Sequence, residues 1–121
     1  MPDQQIPSPD ETWRRICGDG ELNDGQCVEF VVLETPGFVF RRRGQLHAYI
    51  NRCPHLGIEL NWMPGRFFDL EQTFIQCSTH GALFRPHDGH CIAGPCAGER
   101  LERLPVRAQN GQVEVDFSPA A

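Results

Sequence analysis

Two short segments of this sequence each place a cysteine and a histidine close together, in front of a glycine. The first is Cys53-Pro54-His55-Leu56-Gly57, and the second is Cys77-Ser78-Thr79-His80-Gly81. Thiolate and imidazole groups are ligands for zinc, copper and iron. A structural zinc site usually pairs two closely spaced cysteines or two closely spaced histidines, because a tight turn then aims two like ligands at one ion. The mixed spacing C-x-H and C-x-x-H is therefore untypical of zinc.

A cysteine and a histidine that are so close in sequence differ in reach and suit two metal atoms better than one. If two such segments face each other, an inner iron can take two thiolates and an outer iron two imidazoles. This is the ligand set of a [2Fe–2S] cluster in which two histidines replace two cysteines on one iron.

On these residues the sequence resembles the Rieske iron–sulfur family over about residues 11–118. The first motif matches the family's first cluster loop, and Cys77-x-x-His80-Gly81-Ala82-x-Phe84 matches its second. The pair Gly94-Pro95 resembles the third loop, which covers the cluster. The resemblance implies one [2Fe–2S] cluster, with Cys53 and Cys77 on one iron and His55 and His80 on the other. It also implies that Gly57 and Gly81 let backbone N–H groups approach the bridging sulfides.

The stretch between His55 and Cys77 is 21 residues, longer than in most members of the family. We place the insertion at about residues 61–72. Its apolar side chains can either form a small core that seals the loop or an exposed aromatic patch for a partner: Trp62, Met63, Phe67 and Phe68.

Rieske proteins of cytochrome complexes join their two cluster loops by a disulfide, whose positions correspond to Ile58 and Thr79 here. They also donate hydroxyl hydrogen bonds to the cluster from positions that correspond to Ala82 and Phe84. Since hydrogen bonds to cluster sulfur raise the potential, we expect the low end of the Rieske range, roughly −150 mV rather than +300 mV. The resemblance thus points to a soluble ferredoxin-type protein.

The remaining cysteines and histidines are not expected to bind metal. Cys17 and Cys27 fall in strands and are expected to be small buried residues. Cys91 and Cys96 flank Gly94-Pro95, where they form either a disulfide or two reduced thiols. The other histidines are expected to be polar residues without a second metal site: His47, His87 and His90.

Short strands and turns fill the rest of the chain, so we predict an all-β Rieske fold, an antiparallel sandwich or barrel-like scaffold. Residues 1–10 are expected to be a flexible tail and 11–121 one domain, with a cluster-binding subdomain at about 51–96. The predicted strands are 13–17, 27–33, 38–42, 45–51, 73–77, 82–84, 90–93, 104–108 and 112–117. We expect Pro36-Gly37 to stop the second strand, a single helical turn around Asp69-Leu70-Glu71, and a hairpin at Asn110-Gly111.

The charge and the hydrophobic pattern of the chain argue against a nucleic-acid-binding protein and against a membrane protein. The 121 residues include 11 arginines, no lysine and 16 acidic residues, a net charge of −5, which argues against a nucleic-acid partner. No signal peptide or membrane-spanning run is visible, so we expect a cytoplasmic protein without a membrane partner. The only basic run, Arg41-Arg42-Arg43, is either a solvated strand end or a docking patch for an acidic redox partner.

We therefore predict a one-electron carrier: a ferredoxin component that takes electrons from a flavoprotein or iron–sulfur reductase and passes them to a terminal oxygenase or reductase. No phosphate-binding loop or nucleophile–base pair suggests an enzyme acting alone. The alternatives are the small Rieske subunit of a multi-subunit enzyme such as a nitrite reductase, a zinc-stabilised structural module, and a redox or iron sensor.

Overall fold

The computed structural model describes residues 12–54, 57–61, 63, 65–79 and 81–117. The predicted tail and the two candidate ligands His55 and His80 lie outside these ranges. Within them, no helix is long and apolar enough to cross a membrane.

Three antiparallel sheets make up the described chain. An outer sheet contains, in spatial order, Trp13–Gly18 (β1), Gln112–Asp116 (β10) and Val106–Gln109 (β9). A central sheet contains Cys27–Val32 (β2), Thr35–Arg42 (β3), Gln45–Ile50 (β4) and Arg103–Leu104 (β8). A small sheet contains Ile75–Gln76 (β5), Leu83–Phe84 (β6) and Cys91–Ala93 (β7). The all-β prediction is confirmed.

Two hairpin turns have the positive backbone φ angles that their sequences predict. Asn110 and Gly111 have φ of 56° and 76°, and Arg43 and Gly44 have φ of 52° and 77°. Two consecutive residues with positive φ match the right-handed twist of the flanking strands. Asp24 supports the second turn by accepting hydrogen bonds from the backbone N–H groups of Arg43 and Gly44, at 3.1 and 2.7 Å.

The expectation that Pro36-Gly37 stops the second strand is wrong. The chain turns earlier, at Leu33 and Glu34, which have φ of 53° and 68°, and Pro36 and Gly37 lie inside β3. A glycine is needed there because a Cβ at position 37 would lie 2.5 Å from the Phe30 ring on the paired strand. The absence of a side chain thus lets an aromatic ring cover the strand.

The predicted strand 104–108 is two short strands in different sheets. Arg103–Leu104 pairs with β4 in the central sheet, and Val106–Gln109 pairs with β10 in the outer sheet. Pro105 stands between them. The predicted turn near residue 70 is closed by a hydrogen bond of 2.9 Å from the Gln72 N–H to the Asp69 carbonyl.

The central sheet is buried on both faces. Successive side chains of β3 lie on opposite faces of this sheet. Phe38 and Phe40 pack toward the small sheet, whereas Val39 between them packs toward the outer sheet. On β4, Tyr49 joins the first cluster and Ala48 the second. This is the period of two expected of a strand, with aromatic residues on one side and small ones on the other.

The inserted segment contributes to the core on the aromatic side. The Phe67 ring is 1% exposed and stacks on Phe38 with a centroid separation of 4.0 Å. The Phe68 ring packs edge-on against Phe40 at 5.1 Å. Met63 and Leu70 are exposed, and Trp62 lies outside the described residues. The small-core interpretation is therefore confirmed for the two phenylalanines.

We predict that Phe67→Ala lowers the free energy of unfolding by about 3–5 kcal/mol, because it leaves a cavity against Phe38. Leu70→Ala, in the same segment, is the matched control. Leu70 is 96% exposed, so its loss should change stability by no more than about 0.5 kcal/mol. Urea unfolding followed by circular dichroism measures both. Equal effects of the two substitutions would contradict the packing of the insertion.

Candidate iron–sulfur centre

Cys53 and Cys77 are both fully buried and belong to the same cluster of packed side chains. This cluster fills the space between the central and small sheets. Cys53 follows β4 by three residues, and Cys77 directly follows β5. The two sheets therefore bring together two thiols that are 24 positions apart in the sequence.

The loops after these two cysteines have the same backbone hydrogen bonds. Cys53 N–H donates to the carbonyl of Ile58 at 2.7 Å, and Gly57 N–H donates back to the carbonyl of Cys53 at 2.8 Å. Cys77 N–H donates to the carbonyl of Ala82 at 2.9 Å, and Gly81 N–H donates back to Cys77 at 2.8 Å. In both loops the cysteine bonds five residues ahead and receives a bond from four residues ahead.

Glycine is required at the same place in both loops. Gly57 and Gly81 have φ of 72° and 70°, a conformation that costs other residues roughly 1–2 kcal/mol. The two loops are thus near-copies of one turn, with equivalent cysteines at their starts. Two equivalent thiols in one buried cluster are a natural pair of ligands for one metal atom.

A polar bridge holds the first loop against the second. Asn51, which is 2% exposed, accepts a hydrogen bond from the Leu60 N–H at 2.7 Å. The Leu60 carbonyl in turn accepts one from the N–H of Ser78, beside Cys77, at 2.7 Å. Asn51 also donates to the Asn61 side chain at 2.9 Å. Asn51 belongs to no motif that marks it in the sequence, and its place immediately after a strand and two residues before a candidate ligand is the available signal.

The third loop contacts both of the others. Gly94 has φ of 101° and lies so close to the second loop that a Cβ there would be 2.8 Å from the Ala82 Cα. Two residues later, Cys96 hydrogen-bonds through its thiol to Cys53 in the first loop. The resemblance of Gly94-Pro95 to a covering loop agrees with this position.

Cys91 and Cys96 are two thiols in contact. Their sulfur atoms are 3.2 Å apart, well beyond the length of about 2.05 Å of a disulfide bond. The Cys91 thiol lies 3.2 Å from the carbonyl oxygen of Ala93, to which it can donate. Burial, together with the neighbouring Cys91 and Cys53, raises the pKa of Cys96 to about 12. Cys96 is therefore a protonated hydrogen-bond donor at neutral pH.

The described residues fit a cluster with two thiolate ligands. Each candidate cysteine is buried in apolar surroundings and begins a glycine-containing turn, which can bring backbone N–H donors toward a sulfide. Ile58 and Thr79 are exposed, and Ala82 and Phe84 are buried without a hydroxyl group. The loop disulfide and the two hydroxyl donors of the cytochrome-complex proteins are thus replaced by other side chains.

Two other cysteines and two other histidines lie outside the three loops. Cys17 is buried among the residues between the central and outer sheets, and the half-buried Cys27 packs against the aromatic side of the core. Burial raises the pKa of the Cys27 thiol to about 12. His47 is buried near the turn end of β4, and His87 is exposed beside the hairpin at Asp88-Gly89.

These features define a small all-β iron–sulfur domain, with two cysteine loops at one end of a sheet and a third loop across them. The comparisons agree. The chain matches the Rieske [2Fe–2S] domain over residues 12–110 and belongs to this family, whose domain binds a [2Fe–2S] cluster.

Solved structures share the fold at low sequence identity. The terminal oxygenases of carbazole 1,9a-dioxygenase from Novosphingobium sp. KA1 and Nocardioides aromaticivorans IC177 match with TM-scores of 0.72 and 0.73 and identities of 24% and 23%. They cover 86% and 88% of this chain, but it spans only 29% and 30% of theirs. A chain from a complex of reduced oxygenase and oxidised ferredoxin matches with a TM-score of 0.71 and 22% identity, covering 88% of this chain and 94% of its own length.

We predict that Gly94→Ala lowers the melting temperature and the iron content more than Gly98→Ala does. Both glycines have a positive φ, of 101° and 94°, so both substitutions carry the same backbone cost. Only Gly94 would also press a Cβ onto the backbone of Ala82, since a Cβ at Gly98 meets no atom within 4 Å. Thermal unfolding and iron analysis of the two variants test this, and equal losses would contradict a packed third loop.

Proposed function

We propose that this protein is a one-electron carrier of the ferredoxin type. In it, Cys53 and Cys77 bind one iron of the cluster, and His55 and His80 bind the other through ring nitrogens. The observation that carries the proposal is the matched hydrogen bonding of the two cysteine loops, which gives their sulfur atoms equivalent surroundings. When bound, the cluster supplies a site that accepts and returns one electron.

The chain's own residues provide the surroundings that this chemistry needs. Cys53 and Cys77 are buried among aromatic and aliphatic side chains, which exclude water from the thiolate side. The turns at Gly57 and Gly81 are closed by N–H donation to the carbonyls of Cys53 and Cys77, which fixes the backbone that follows each cysteine. Hydrogen bonds from the surrounding backbone help to set the potential of an iron–sulfur cluster. The antiparallel sheets hold these surroundings rigid, so that they rearrange little when the site gains or loses an electron.

The matched structures support an electron-transfer role beside an oxygenase. The oxygenase chains are more than three times as long as the segment that they share with this one. The chain matched over 94% of its length comes from a complex of an oxygenase with a ferredoxin. We infer that this protein passes electrons from a flavoprotein or iron–sulfur reductase to a terminal oxygenase or reductase in the cytoplasm.

A low potential follows from the residues around the cysteines. Ala82 and Phe84 are fully buried and offer no hydroxyl donor to the cluster. With fewer hydrogen bonds to stabilise the added negative charge, the reduced state is less favoured. We expect a midpoint potential of roughly −150 mV, the low end of the Rieske range. A value well above zero in protein-film voltammetry would contradict this.

Metal analysis and spectroscopy test the ligands directly. The purified protein should contain two irons and two acid-labile sulfides, by the composition of the proposed cluster, and its reduced form should give a rhombic Rieske EPR signal. Cys77→Ser should lose this signal. Cys17→Ser, which alters a buried cysteine in the other core cluster, is the matched control and should retain it. Zinc without acid-labile sulfide would indicate a structural module instead.

The Cys96 thiol is expected to tune the potential. Cys91 can place its proton on the Ala93 carbonyl, which leaves the Cys96 proton for the sulfur of Cys53. A thiolate ligand is the stronger acceptor, since hydrogen bonds to charged groups exceed those to neutral ones. Cys96→Ala should therefore keep the iron but shift the potential to more negative values, while Cys96→Ser should keep the donor and shift it less. Loss of iron in both variants would show instead that Cys96 is a ligand or an essential packing residue.

A further inference from the structure

A basic cavity lies at the end of the sheets opposite the two cysteine loops. Its volume is about 350 Å³, and its lining includes Arg42, Arg43, His47, Phe74, Arg85 and Pro86. No lining residue belongs to either cysteine loop: Gln45 lies about 20 Å along β4 from Asn51 beside the first loop, and Phe74 lies about 10 Å along β5 from Cys77. This cavity is therefore separate from the candidate cluster site.

The arginines of the Arg41-Arg42-Arg43 run have different environments. Arg41 is turned away from the cavity: it forms an ion pair with Asp19 and donates to the Leu22 carbonyl at 2.7 Å. Arg42 donates to the Gln72 carbonyl at 2.7 Å and lies over the Phe68 ring at 5.8 Å. The Arg43 guanidinium contacts no acceptor among the residues that the structure describes. Only two of the three arginines therefore face the cavity.

The charge of the lining is positive and partly uncompensated. Of the described lining residues, none is acidic. Arg85 is held by Asp88, with nitrogen–oxygen distances of 3.2 and 2.6 Å. The neighbouring Asp24 is bound by the backbone of the hairpin turn, chiefly by the N–H of Gly44, which lowers the pKa of that carboxyl. Arg42 and Arg43 therefore present two positive charges without an ion-pair partner in the described chain.

His47 adds a buried donor to this lining. Its side chain is 5% exposed, and its Nδ1 lies 3.4 Å from the Arg103 guanidinium. An arginine has only donors, so Nδ1 must be the acceptor, and the ring proton is on Nε2. Burial lowers the pKa of His47, and the positive charge of Arg103 lowers it further, so the ring is neutral. Among the described residues, Nε2–H has no hydrogen-bond acceptor.

We propose that this cavity binds a small organic anion, with a carboxylate or phosphate group against Arg42, Arg43 and His47 and an apolar body against Phe74 and Pro86. Planar guanidinium groups match the geometry of carboxylate and phosphate oxygens. The volume is within the range of small-molecule sites, at its lower end. The apolar floor favours an anion with an organic body over an inorganic ion.

Binding can be measured without reference to the cluster or to electron transfer. Amide NMR signals of Thr73, Phe74 and His47 are followed while sodium benzoate, sodium acetate or inorganic phosphate is added at constant ionic strength. We expect saturable shifts confined to the cavity, with benzoate binding more tightly than acetate. A phosphate-bearing ligand is favoured over a carboxylate if phosphate binds more tightly than acetate.

Charge variants separate a specific site from general screening. Arg43→Gln should weaken benzoate binding at least fivefold, because it removes an unpaired charge from an exposed turn without altering the core. Arg15→Gln makes the same charge change at an exposed position of β1 and should have no effect. A second variant, Thr73→Arg, adds a positive charge at an exposed position of the lining and should tighten binding.

Three results would overturn the proposal. One is the absence of saturable shifts with all three anions, and another is equal weakening by Arg43→Gln and Arg15→Gln. The third is binding of an acidic peptide without binding of any small anion, which would mark the surface as a docking site for a protein. A protein that lacks iron but still binds benzoate would refute the proposed function and leave the cavity proposal standing.

Discussion

The two-sided burial of the central sheet is the constraint on which the rest of this protein depends. Because β3 and β4 are covered on both faces, each supplies aromatic residues to one core and small aliphatic residues to the other. The aromatic core, with Phe38, Phe40 and Tyr49, is also the one that contains Cys53 and Cys77. The same packing that stabilises the sheets thus buries the two thiols and fixes the ends of the strands that lead to them.

Much of the fold could be predicted from local patterns. The hairpins at Arg43-Gly44 and Asn110-Gly111 follow from residues that accept positive φ, and the alternation in β10 follows from its apolar period of two. The end of β2 could not be predicted in this way. Gly37 looks like a turn residue, but it is needed inside a strand because the Phe30 ring lies over it, and that contact depends on the register of two strands.

The motifs of the candidate site could be predicted from the sequence, but the hydrogen bonds and contacts that hold its loops in place could not. Spacing and residue type pointed to Cys53 and Cys77, but the equivalence of their loops is a property of the backbone hydrogen bonds. The link from Asn51 through Leu60 to Ser78 joins residues that are distant in sequence, and the contact of Cys96 with Cys53 depends on how the third loop folds back. The basic cavity likewise combines three separate segments, so only one of them, the arginine run, was visible in the sequence.

The two ends of the sheets differ in their electrostatic surroundings. At the loop end, apolar packing surrounds the thiols, and the nearby Cys96 remains neutral because burial raises the pKa of its thiol. At the hairpin end, positive charges accumulate although the chain as a whole carries −5, and Asp19 and Asp24 are both engaged by the hairpin and its Arg41. Along β4 about 20 Å separates the cavity from the first loop, whereas Phe74 of the lining precedes Cys77 by three residues, about 10 Å. The lining and the cysteine loops share no residue, so a substitution such as Arg43→Gln changes the cavity without removing a side chain from the loops.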